Sequence, residues 1–315
     1  MEKEQDNSYH KMNLNWYPGH MAKTKRQIIE DLKLIDIVIE IVDARIPISS
    51  QNPDIKENIK NKKKIIVLNK SDLADEIETK KWVKYFEEKN INAIITDSNT
   101  GKGINDVINL IKRTSKEDEE KNKNKGRIGK SVRVLVLGIP NVGKSSFINK
   151  ISKKASAQVG NKPGVTRQKQ WVRISEGIEL MDTPGVLWPK FQTEEVALNL
   201  AYTGTIKDEI LEKVEIAFNL LKYLLNEYLD RVIARYELNK EEIQIILEKN
   251  DEENEKIYEI MQLIARKRGA ILSGGRIDDE KIAGIILDEF RKRKIWKNNT
   301  WKSKKIGGKI DRTNK

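Results

Sequence analysis

An aliphatic run, Val132 to Leu137, leads directly into Gly138-Ile-Pro-Asn-Val-Gly-Lys-Ser145, and this short pattern restricts the chain more than any other feature. The spacing GxxxxGK[ST] after a strand builds a loop whose backbone N–H groups wrap phosphates, and the following helix aims its positive dipole end at them. A strand, loop and helix are expected here, with the helix starting near Lys144. Lys144 should reach the β and γ phosphates and the Ser145 hydroxyl should ligate Mg²⁺. Asn141, Val142, Gly143 and Ser146 complete the expected cradle.

The surrounding pattern supplies a sheet for that loop. Ile37 to Val42 (IVIEIV), Ile65 to Leu68 and the INAIIT segment read as buried strands. Residues 22–35 and Asp75 to Asn90 read as helices, the latter with Ile77, Trp82, Val83 and Phe86 at helical spacing. Strands alternating with helices imply an α/β fold, mostly a parallel sheet with helices on both faces. Lys112 to Lys130 has almost no apolar residues and reads as a linker or an extended surface crossover. From about Ala197 apolar residues recur every three or four positions, as in EIAFNLLKYLLNEYL, which marks an all-α C-terminal domain. The expected division is 1–204 (with 1–15 a flexible N-terminus), 205–295 helical, and 296–315 a disordered basic tail.

Further motifs match the phosphate loop. Ile178 to Met181 reads as a strand ending in Asp182-Thr-Pro-Gly185, which suits a metal-side carboxylate at Asp182 and a backbone N–H at Gly185 that senses a γ-phosphate. Between them, Thr166 in Pro163-Gly-Val-Thr166 is a candidate hydroxyl ligand for Mg²⁺ in the presence of the γ-phosphate; an ordinary Pro-Gly turn is the alternative. Asn69-Lys70-Ser71-Asp72, at the end of the second strand, resembles the NKxD motif of GTPases. Its aspartate can accept from both N1 and N2 of guanine, a donor pair that adenine lacks. At the end of the third strand, Asp97, Ser98 and Asn99 sit where GTPases place a loop that meets the guanine carbonyl.

The order of these motifs is unusual, because the guanine reader and its base loop precede the phosphate loop. That order resembles the circularly permuted GTPases. Trp16-Tyr-Pro-Gly-His-Met21, Asp43-Ala-Arg-Ile-Pro47, GIPNVGKS and DTPGVLWP (Asp182 to Pro189) are similar, over residues 16 to about 290, to the members that act in ribosome biogenesis. The resemblance implies GTP and GDP as ligands, Mg²⁺ held by Ser145, Thr166 and Asp182, and a role in late assembly of the bacterial large (50S) subunit. Hydrolysis would then be linked to release from the pre-50S particle and its rRNA. Where many GTPases place a water-orienting glutamine, this chain has Val186, so His20 of the WYPGH motif is the candidate for positioning water; a turn or RNA-binding histidine is the alternative. Asn141 implies K⁺ coordination beside the phosphates, or else simple loop capping. Asp43 and Arg45 are read as a structural turn.

Composition narrows the remaining classes. There is no cysteine, so disulfides and thiolate metal sites are excluded, and relatives with a zinc module are disfavoured. No apolar run approaches the ~20 residues of a membrane span, and Met1 to Lys11 lacks the apolar stretch of a secretory signal, so a cytoplasmic protein, without a membrane partner and monomeric, is expected. The formal net charge is +12, and residues 291–315 hold eleven Lys and Arg against Asp311 alone. With Trp296 and Trp301 interleaved, that segment suits phosphate backbone and stacked bases, or else a solvated terminus. Lys222, Arg231, Arg235, Arg266, Lys267 and Arg268 are candidates for rRNA contact on the helical domain's surface. The GAILSGGRID segment carries no assigned chemistry. A small-molecule kinase, a GTP-binding RNA-assembly module with little catalysis, and a permuted GTPase acting on the small subunit or another RNA are the alternatives.

Overall fold

The computed structural model describes residues 19–124, 131–159, 171–183, 185, 187–188, 191, 193–206 and 212–296, with side chains throughout except at 19–22, 25, 117–124, 154–159 and 296. Among them, six strands form one sheet: β1 (Ile37–Asp43), β2 (Lys63–Asn69), β3 (Asn92–Ile95), β4 (Val132–Gly138), β5 (Trp171–Ser175) and β6 (Ile178–Asp182). The order across it is β3-β2-β1-β4-β6-β5, parallel except for β5, which runs antiparallel to β6. The chain lays β2 and β3 on one side of β1, then crosses back to place β4 on the other. That reversal opens a crevice beyond the carboxyl ends of β1 and β4, where open α/β sheets bind ligands.

β1 lies at the centre and all seven of its residues are buried, which accounts for its β-branched run. Of its two charged residues, Glu40 is satisfied by Lys64 at 2.5 Å and by the Asn52 N–H at 3.1 Å. Alternate residues of β2 serve opposite layers. Ile65 and Val67 join the cluster that contains Ile104, Val107 and Ile111 of α4 (Ile104–Asn124), whereas Ile66 and Leu68 pack with Trp82 and Phe86 of α3 (Glu76–Glu88). α1 (Gly19–Asp31) and the short α2 (Pro53–Lys56) bring Ile28 and Ile55 to the first of these clusters.

One expectation is corrected here. The segment read as a linker from Lys112 continues α4 through Asn124, because an apolar first half anchors the helix and the Lys- and Glu-rich remainder propagates it at low cost. Residues 125–130 lie outside the described set. β5 is a strand beyond those expected. Its alternation of exposed Arg173 with buried Ile174, closed by a turn in which Gly177 has φ +69°, is the period-2 signal of an edge hairpin.

Beyond β6, the described helices are α6 (Glu194–Tyr202), α7 (Lys213–Tyr236), α8 (Lys240–Glu248), α9 (Glu253–Lys267) and α10 (Asp279–Arg291), which make up the helical half. One buried apolar cluster continues from the sheet through Leu200 of α6 into α7, α9 and α10. Of the basic residues expected on the helical surface, Arg235 and Arg268 are partly buried and engaged within the protein. Arg235 donates twice to Glu289 (2.9 and 2.6 Å), and Arg268 donates to the Arg235 carbonyl at 2.9 Å and lies over the Tyr236 ring. Lys222 pairs with Glu253. Arg266 and Lys267 remain exposed at the end of α9. No described helix is long and apolar enough to cross a membrane.

A candidate nucleotide site at the carboxyl edge of the sheet

Strand register brings the motifs to one edge. Asp43 is level with Asn69, Ile41 with Gly138, and Val136 with Asp182, so the ends of β1, β2, β4 and β6 face the same crevice. The phosphate loop leaves β4 at Gly138 and enters α5 (Lys144–Val159) at Lys144. Asn141 takes the left-handed conformation (φ 60°) and Gly143 an even more extreme one (φ 89°). A Cβ at Gly143 would stand 2.5 Å from the Asn69 amide nitrogen, so glycine is required there by both conformation and space. The Lys144 ammonium lies 2.5 Å from Asp182 Oδ1, uniting the phosphate loop and the DTPG motif at one point. Gly185 is packed on the loop itself, where a Cβ would meet the Pro140 nitrogen at 3.0 Å. Ser145 and Ser146 are exposed in the first turn of α5.

The Asn69-Lys70-Ser71-Asp72 loop is fastened from several sides. Asn69, buried, donates through its amide to Val142 O at 2.8 Å and accepts from the hydroxyls of Ser98 (2.7 Å) and Thr96 (3.1 Å) and from the Ser98 N–H. It therefore joins all three nucleotide loops. Lys70, left-handed at φ 58°, reaches Asp43 at 3.2 Å, and the single 3₁₀ turn Ser71–Leu73 presents Asp72. Burial, followed by the nearby Asp97 carboxylate, pushes the Asp72 carboxyl up from its ordinary pKa. Asp97, expected to contact the ligand, also orders its own loop. Its carboxylate accepts from Asn99 N–H (2.8 Å) and the Thr100 hydroxyl (2.6 Å), bonds that outweigh its own burial and lower its pKa. Asn99 in turn presents its carbonyl to Lys150 of α5 at 2.8 Å. The base loop is thus held in place by Asp97 and Lys150.

Residues 133–262 match a family described as a 50S ribosome-binding GTPase. The chain is 42% identical over 300 residues to ribosome biogenesis GTPase A of Bacillus cereus, covering 95% of this chain and 97% of that one. The chain belongs to the ribosome biogenesis GTPase A family. A Thermotoga maritima member is 31% identical over 89% of this chain and 91% of its own length. The crystal structure of GNP-bound YlqF from T. maritima superposes with a TM-score of 0.56 at 27% identity, covering 86% of this chain and 94% of that one. This family member is accordingly a circularly permuted GTPase that binds guanine nucleotide.

The ribosome biogenesis GTPase A fold also brings in residues whose part was not foreseen. Asp43 and Arg45, read as a structural turn, form a fully buried ion pair, with Arg45 donating at 2.9 Å (Nε) and 2.7 Å (Nη2). Burial works against the Asp43 charge, but Arg45 and then Lys70 outweigh it and hold the carboxyl well below the usual carboxylate range. The final carbonyls of α6 and its following turn are gripped in succession. Arg291 of α10 donates to Ala201 O (2.8 Å) and Tyr202 O (3.1 Å), Arg45 to Thr203 O (3.4 Å), and Asn141 to Gly204 O (2.9 Å). Helix ends leave such carbonyls without intrahelical donors, which is why they attract three side chains from distant sequence. Arg45 and Asn141 stand in motifs visible in the sequence, but nothing in those motifs points to the carbonyls that they hold.

Of the other expected site residues, Thr166 and Val186 lie outside the described residues, and His20 falls in the first turn of α1 with its side chain outside them. The donor set suits Mg²⁺: one strand-end carboxylate and one helix-start hydroxyl leave the remaining positions to phosphate oxygens and water, as this hard ion prefers. No group of three or more His, Asp or Glu that could by itself hold a metal ion occurs among the described residues. A basic cavity of about 820 Å³ opens at the opposite edge of the sheet, but Lys62 and Lys63 there are tied to Ile35 O and Thr114 O, and none of the nucleotide motifs reaches it.

Proposed function

We propose that this GTPase acts in late assembly of the large ribosomal subunit, binding the pre-50S particle and its rRNA in the cytoplasm and hydrolysing GTP there. The observation that carries this reading is the hydrogen bond from Asn141 of the phosphate loop to Gly204 O, one turn beyond α6 and next to the carbonyls that Arg291 holds. Through it, the loop that grips phosphates is tied to the helical half, so nucleotide state and particle docking can be coupled. The names of the relatives supply the particle: ribosome biogenesis and 50S binding.

In this reading, Lys144 neutralises the β and γ phosphates, Ser145, Thr166 and Asp182 hold Mg²⁺, and the Gly185 N–H reads the γ-phosphate. Mg²⁺, when bound, would offset charge on the transferring phosphoryl group. Asp72 selects guanine, with Asn69, Lys70, Ser71, Ser98 and Asn99 shaping its pocket. His20 positions the attacking water. Asn141, its amide nitrogen committed to Gly204, turns its oxygen to K⁺. Arg266 and Lys267 at the end of α9 contact rRNA. Cosedimentation with precursor large-subunit particles under GDP, GTP and a non-hydrolysable analogue tests the proposal. Nucleotide-dependent association is expected, and indifference to nucleotide would overturn it.

A further inference from the structure

The chain leaves α10 through a turn that is conformationally expensive. Arg293 has φ 57° and donates its N–H to Phe290 O at 3.1 Å, the place after a helix that glycine or asparagine usually occupies. An L-residue with a long side chain is an odd choice there, unless the side chain has a task that offsets the strain. Its guanidinium provides one: Arg293 Nη1 donates to the backbone carbonyl of Asp72, the residue whose carboxylate is the guanine reader.

This contact spans 221 residues of sequence and joins the last turn of the helical half to the nucleotide edge. The same helix end is pinned a second time. Arg291 closes on Ala201 and Tyr202, and Gly204 (φ +73°) lacks a Cβ where one would stand 3.2 Å from the Arg291 Nε. On its other side, the Asp72 turn is fixed by Ser71 N–H to Thr96 O (3.1 Å) and Leu73 N–H to Lys70 O (2.9 Å). Arg293 adds a hold on the carbonyl of Asp72 itself, between those two bonds.

We propose that Arg293 is a positioning residue for guanine selectivity: by holding the Asp72 carbonyl it sets the aim of the Asp72 carboxylate. The inference rests on the reading of Asp72 as the guanine-binding carboxylate. A bidentate acceptor needs both oxygens in the plane of guanine N1 and N2, whereas an inosine base, without the 2-amino group, asks for one. Loss of aim therefore harms guanine more than hypoxanthine. Arg293 also favours the ionised form of Asp72, against the burial and Asp97 that disfavour it.

The test is nucleotide titration of the full chain with GTP and ITP. Arg293→Gly removes the guanidinium while relieving the backbone, so the melting temperature is expected to hold or rise. GTP affinity is expected to fall about tenfold and ITP affinity less than about twofold, shrinking the GTP-over-ITP preference. Arg293→Lys, which keeps a donor, should restore part of that preference. Equal losses for both nucleotides, or no change for either, would overturn the proposal. An Asp72→Ala variant that keeps the wild-type preference would instead remove the reading of Asp72 itself, whatever Arg293→Gly does.

Discussion

The Asn69 side-chain amide donates to Val142 O at 2.8 Å, fastening the NKSD loop to the phosphate loop across 73 residues of sequence. The same side chain accepts from Thr96 and Ser98, so its removal strands several buried polar groups at once. Asn69→Ala is expected to weaken GTP binding at least tenfold and to cost about 2 kcal/mol of stability. Calorimetric titration and thermal unfolding measure the two effects separately.

Acid should weaken guanine binding earlier than an ordinary carboxylate would allow. Burial and Asp97 raise the pKa of Asp72, and only the ionised carboxylate accepts from N1 and N2, so affinity falls as pH drops through that raised value, above the ~3.9 of a free aspartate. The sign for folding is opposite: a carboxyl raised on folding binds protons more readily in the native state, so its contribution to stability grows as pH falls. Loss of affinity without loss of fold is the expected result. Asp72→Asn should lack this acid limb and prefer xanthine to guanine nucleotide.

Lys144 and Asp182 meet in an ion pair, but Asp182 is half exposed, so the pair contributes little to stability. Lys144→Ala is therefore expected to lower GTP hydrolysis by at least about 100-fold with an unchanged melting curve. Phosphate release beside circular dichroism reads both.

Asp43 and Arg45 should behave in the opposite way. Both are buried, and removing one partner leaves the other charge uncompensated, at a cost of about 3 kcal/mol for Asp43→Ala. Arg45→Ala should cost about the same, and the double variant much less than the sum. Urea unfolding midpoints would show this. Additive losses would mean that the pair does not act as a unit.

Arg235 and Arg266 differ in exposure and should differ in phenotype. Arg235→Ala breaks the double bond to Glu289 and is expected to lower the melting temperature. Arg266→Glu with Lys267→Glu should leave melting alone while weakening sedimentation with large-subunit particles, more so at low salt.

Much of the molecule could be read along the chain, because its signals are local. The runs IVIEIV and VRVLVLG gave buried strands from composition alone, and the phosphate loop and NKSD carry their chemistry in fixed spacings. Where a signal was weak or ambiguous, reading faltered. The polar half of α4 resembles a linker unless helix propagation from Ile104 is considered, and β5 is a five-residue edge strand with one buried face. Asp97 carried the right loop, but its carboxylate holds Asn99 and Thr100 in place, which an isolated motif cannot reveal.

The sequence by itself determined the ligand class and the permuted order, since glycine conformation, a lysine and a strand-end carboxylate act through neighbours a few residues away. Tertiary structure alone decided what joins those parts. Asn69 to Val142, Asn141 to Gly204, Arg291 to α6 and Arg293 to Asp72 are all bonds to backbone carbonyls. Every residue but proline offers the same carbonyl and amide pair, so no pattern in the chain marks which carbonyl a distant side chain will find; only the packing of sheet and helices selects it.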